Sequence, residues 1–133
     1  MEILVLGIWS VFACVCGELE AITFHKDHTL AIRFKYIHHF FTLIRALMAG
    51  VIILVFNVDL WVIVPFVLVF PYFHDGTYYV VRNKLNPRIY KRGWRSSSAE
   101  TTAIFSFRYD IRLYLCLIGW LVVSFVEMVK YFK

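Results

Sequence analysis

Between Pro71 and Arg82 a long apolar run acquires His74, Asp75, Thr77, Tyr78, Tyr79 and Arg82, groups able to bind protons, metal ions or phosphate. The remaining histidines, His25, His28, His38 and His39, flank two other apolar runs, and Glu18, Glu20 and Arg45 lie slightly deeper within those runs. Imidazole and carboxylate together are a donor set for zinc, iron or manganese. The residues do not fix a cofactor; if the region holds one, its donors suit a divalent transition metal, with His25, His38, His39, His74 and Asp75 as ligands. For proton transfer the same region offers His74, Asp75 and Glu18 as general acid or base.

Spacing does not select one chemistry. There is no His-Glu-x-x-His zinc helix, no Glu-x-x-His pair of the diiron bundles, no Gly-rich phosphate loop and no serine in a nucleophile elbow. The five histidines are too few for the several histidine boxes of membrane hydroxylases and desaturases. Asp75-Gly76 lacks the further aspartates and the Ala-Arg of membrane alcohol phosphotransferases. Histidine, tyrosine and tryptophan are also at ease at the headgroup level of a bilayer, so a purely structural reading of the same residues stands beside the metal site.

The elements that position these groups follow from composition. The chain has 133 residues, 61% of them hydrophobic and 17% charged, whereas soluble domains are roughly a quarter charged. A water-soluble surface cannot be built from that supply. The expected fold is all-α, an integral membrane four-helix bundle in a single domain, with spans at 3–24, 40–56, 60–81 and 113–129. Residues 25–39 alternate apolar and polar side chains, which reads as an extended segment along the interface, with continuous helical entry into the second span as the competing reading. Pro65 and Pro71 are expected to kink the third span. Residues 82–112 form a basic loop, in which Ser97 and Glu100 have capping-box spacing and predict a short interfacial helix around 98–107. Cys14, Cys16 and Cys116 fall inside apolar runs and imply no disulfide framework. Glu2 precedes the first apolar run, with no lysine or arginine before it, so that run reads as an uncleaved span rather than a signal peptide.

Charge then sets orientation and partners. The formal charge is +5, and a basic excess on so apolar a chain points to loops kept on the cytoplasmic side rather than to nucleic acid. The connections after the first and third spans carry most of the lysine and arginine, which places them in the cytoplasm and the Asn57–Asp59 turn and both termini outside, in an inner (plasma) membrane. The bilayer is the expected partner, with Arg88, Lys91, Arg92 and Arg95 able to hold anionic lipid headgroups. Residues seven apart share a helical face, so His25 stands above Glu18 and His38 above Arg45 on antiparallel neighbours. That register predicts a Glu18–Arg45 ion pair beneath a histidine layer. The expected function is a structural or accessory membrane component with a His/carboxylate cluster at the interface. The alternatives are a metal-assisted enzyme acting on a lipid or amphipathic substrate and a holin-like pore former.

Overall fold

The computed structural model describes the backbone of residues 1–26, 35–87, 92–96 and 107–132 and, except at 25, 26 and 35–38, their side chains. These residues form four long helices: α1 (Glu2–Lys26), α2 (Lys35–Phe56), α3 (Ile63–Leu85) and α4 (Tyr109–Tyr131). All four are long and apolar enough to cross a membrane, and no strand occurs among the described residues. A single turn of 3-10 helix, Leu60–Val62, leads into α3, and another, Gly93–Arg95, lies between α3 and α4.

Helix α3 is the centre of the fold, packed along α1 on one side and α4 on the other. On α1 the residues turned inward are Val5, Leu6, Trp9, Ala13, Cys16 and Ala21, at the three- and four-residue steps of one helical face, while Leu4, Val11, Val15 and Leu19 are exposed. Trp9 stacks on Phe66 with ring centroids 4.7 Å apart, and its Nε1 donates to the Phe66 carbonyl at 2.9 Å. Further along, a Cβ at Gly17 would lie 2.2 Å from the His74 carbonyl oxygen. Only glycine admits the α3 backbone there. Since α1 advances from Trp9 to Gly17 while its neighbour advances from Phe66 to His74, the two helices run parallel.

Helix α2 is attached differently. In its most apolar stretch 11% of residues are buried within the protein, against 44% for α1. Ile52 and Ile53 join Val5, Leu6, Trp9, Val58 and Val62 in the core, but Leu43, Leu47, Val51, Leu54 and Val55 are exposed. Such a face is suited to hydrocarbon rather than water. With so little apolar contact along its length, α2 depends on its ends and on the polar contact made by Arg45.

The turn after α2 has a specific chemistry. Asn57 is left-handed, with φ 47°; its amide donates to the Leu54 carbonyl, and the Val58 amide reaches back to the Ile53 carbonyl at 3.2 Å. This is a Schellman closure, completed by Val58 and Ile53 packing in the same core. Asparagine tolerates the left-handed region better than other non-glycine residues.

Several boundaries differ from the sequence expectation. Residues 35–39 are helical rather than extended, because α2 begins at Lys35; residues 27–34 lie outside those described. Helix α3 continues through Arg82 and Lys84 to Leu85, so the basic connection starts later than residue 82; cations in a last turn are favoured by the helix dipole. The α-helix is continuous through both prolines. Pro65 falls in the first turn, where a missing N–H leaves no hydrogen bond unmade. Helix α4 starts at Tyr109 and takes in Arg112. The interfacial helix expected around 98–107 falls almost entirely outside the described residues.

At the turn, Asn57→Gly should leave the melting temperature in detergent unchanged or slightly raised, whereas Asn57→Val should cost about 1–2 kcal/mol through its disfavoured left-handed backbone. Equal melting of the two variants would mean the closure is not formed.

Candidate functional site

The polar residues meet where α1, α2 and α3 come together, near the middle of α2 and α3 and toward the C-terminal end of α1. On α1 the inward stripe passes from Cys16 to Glu20, one turn further on, and buries Glu20 at 5% exposure. Glu18 is two residues earlier, roughly 200° around the helix, and is exposed. Arg45 therefore pairs with Glu20 rather than with Glu18. The expected Glu18–Arg45 pair is corrected by one helical fact: the small residues Ala13, Gly17 and Ala21 face α3 and bring Glu20 with them, not Glu18.

From α3, His74 enters the same contact. Its Nε2 lies 3.1 Å from Arg45 Nη2 and 3.2 Å from Glu20 Oε1, and its Nδ1 lies 2.8 Å from Asp75 Oδ1. The ring stacks on Phe70 at 4.9 Å, and the Arg45 guanidinium sits 4.8 Å from the centre of the same Phe70 ring. Nδ1 faces the Asp75 carboxylate, Nε2 faces both the Arg45 guanidinium and the Glu20 carboxylate, and Arg45 donates to Glu20. One histidine ring thus joins two charged groups on other helices to a carboxylate on its own.

Chemically this arrangement is closed. Nε2, the nitrogen a base would present to substrate, is turned to the Glu20–Arg45 pair. Both ring nitrogens are in use, so a metal would have to displace a hydrogen bond to gain a lone pair. Among the described residues no three His, Cys, Asp or Glu side chains are grouped to hold a metal ion. Of the expected ligands His25, His38, His39, His74 and Asp75, the structure joins His74 to Asp75 and leaves His39 exposed. The side chains of His25 and His38, and all of His28, fall outside the described residues, as do Arg88 and Lys91 of the expected headgroup site. Arg92 and Arg95 of that site are described and exposed. All three cysteines are free.

A second polar contact was not foreseen. Arg112, three residues into α4, is fully buried. Its Nη2 donates to the carbonyls of Trp94 at 3.1 Å and Ser96 at 2.8 Å, and its guanidinium lies 5.2 Å from the Tyr79 ring centre. Trp94 is seated on Gly76, where a Cβ would fall 2.3 Å from the indole, and it meets Tyr72 edge to face at 5.5 Å. Asp75 is within electrostatic reach of both Arg45 and Arg112. The sequence did hold one signal for this seat: a glycine inside an otherwise bulky helical run marks a close approach.

At the opposite end Glu2, Glu127, Lys130 and Asp59 form their own group. Glu2 is bonded to Lys130, the Glu2 amide donates to Glu127 at 2.7 Å, and Lys130 reaches Asp59 at 3.5 Å. This group draws the start of α1, the turn before α3 and the end of α4 together.

Comparison with protein-family models, curated proteins and solved structures finds no match.

The two glutamates of α1 should separate sharply in a stability assay. Glu20→Gln leaves the half-buried Arg45 without its carboxylate and should cost about 2–4 kcal/mol, while Glu18→Gln should change stability by less than about 0.5 kcal/mol. Equal effects measured by unfolding in detergent would contradict the assignment of Glu20.

Proposed function

We propose that the chain is a four-span integral membrane protein of structural or accessory kind, in which the Glu20–Arg45–His74–Asp75 cluster is an intramembrane tie rather than a reaction centre. The observation that carries this reading is the saturation of His74: both ring nitrogens are directed at partners within the protein. A catalytic base or metal ligand keeps one nitrogen for its substrate or ion. The tie also joins the loosely packed α2 to the α1–α3 pair, which is what a helix with a mainly lipid-facing surface needs. Fixed ionic contacts at both ends suit a stable subunit better than a holin-like lesion former.

Orientation follows from the exposed cations. Lys84, Arg92, Arg95 and Arg108 are exposed at one end, whereas Lys130 at the other is offset by Glu2 and Asp59. The basic end is therefore cytoplasmic in this reading, the membrane the inner (plasma) one, and the Asn57–Asp59 turn external.

Two measurements test the proposal. Protein purified in detergent should carry no stoichiometric zinc, iron or manganese; a full equivalent that is lost in His74→Ala would favour instead a metal-assisted enzyme acting on an amphipathic substrate. In a variant lacking the native cysteines, Asp59→Cys should react with a membrane-impermeant maleimide in intact cells and Pro87→Cys should react only after lysis. The reverse pattern would invert the topology.

A further inference from the structure

Retention of a loop on one side of a membrane requires only that basic residues occur in it. Here part of the connection between α3 and α4 is built onto the helices. Arg112 clamps the carbonyls of Trp94 and Ser96, Trp94 occupies the seat at Gly76, and the Arg95 guanidinium lies over the Tyr109 ring, 5.6 Å from its centre. As a result Arg92 and Arg95 are exposed yet held beside α3 and the start of α4, where Arg108 is also exposed. Among the described residues the exposed carboxylate at the start of α4, Asp110, is engaged by Arg108 at 3.3 Å. Trp94, Tyr72 and Tyr109 border the group with the amphipathic rings typical of the headgroup level.

From this we infer that the Trp94 segment forms a binding surface for the headgroups of anionic phospholipid, with Arg92 and Arg95 as its principal contacts and Arg108 at its margin. Guanidinium groups suit the phosphodiester because their paired N–H donors match two phosphate oxygens, and their charge is attracted to an anionic leaflet. Among the described residues the opposite end offers no equivalent surface, since Lys130 is already matched by Glu2 and Asp59. The buried Arg112 acts as a positioning residue: it fixes the backbone from which Arg95 projects. The inference rests on the four-span reading but not on the accessory role or on which side of the membrane is cytoplasmic.

The test is lipid selectivity. The full chain is reconstituted in phosphatidylcholine vesicles containing trace spin-labelled phosphatidylglycerol or spin-labelled phosphatidylcholine, and the motionally restricted fraction of each label is measured. The parent should restrict phosphatidylglycerol in preference, and each arginine near the surface should contribute roughly fivefold to association with its site. Arg92→Gln combined with Arg95→Gln should bring the selectivity close to unity while leaving restricted phosphatidylcholine unchanged, which shows the variant still folded and inserted. Lys130→Gln should retain the parental preference. Equal restriction of the two lipids by the parent, or undiminished selectivity in the double variant, would overturn the inference. So would loss of selectivity on adding millimolar inorganic phosphate at constant ionic strength, since the surface would then take a free anion. Failure of the four-span reading gives a different result, with no restricted phosphatidylcholine at all.

Discussion

A guanidinium or a carboxylate placed alone in an apolar bundle carries a desolvation cost of several kcal/mol, and together they are far less costly. That constraint governs how α2 is attached. Its apolar face makes little contact with the rest of the protein, so the Arg45 contact with Glu20 and His74 holds the middle of the helix. The pair fixes more than proximity: Glu20 must point inward from α1, which requires Gly17 to let α3 approach, which in turn sets His74 at the depth of Arg45. Removing one charge therefore disturbs the register of three helices, not a single contact.

His74 gains its place by presenting a nitrogen on each side of its ring. It bridges the interhelical pair to Asp75. On the α4 side of α3 the two carbonyl bonds of the buried Arg112 hold the Trp94 segment. The tie of Glu20, Arg45, His74 and Asp75 joins α1, α2 and α3 near the middle of α2 and α3, while the group of Glu2, Asp59, Glu127 and Lys130 closes one end of the bundle. Between them the core is apolar, built on Trp9, Phe66 and their neighbours.

Much of this architecture is legible in the sequence. The apolar runs and scarcity of charge give four membrane-length helices, whereas the short Asn57 turn does not make the second and third helices close neighbours: α3 packs along α1 and α4. Arg45 and the His74-Asp75 pair are recognisable as buried polar groups because they interrupt apolar runs. The sequence alone favours Glu18 over Glu20, because the heptad relation between Glu18 and His25 concerns one helix alone. Which face is inward is decided by the neighbour, and the small residues Ala13, Gly17 and Ala21 mark that face. Arg112 was read as part of a loop because a charge near a helix start looks solvent-facing until the segment it clamps is placed against Gly76. The extended reading of residues 35–39 failed for a related reason: a short alternation of apolar and polar side chains also fits the first turns of a helix entering the apolar layer.

The most direct measurement is a double-mutant cycle on Glu20→Gln and Arg45→Gln, following unfolding in detergent or in lipid. If the two side chains form the tie, the double variant should be less destabilised than the sum of the singles, with a coupling of about 1–3 kcal/mol. Additive losses, within about 0.5 kcal/mol, would mean that Glu20 and Arg45 do not touch, and the tie between α1, α2 and α3 would not exist in the form described.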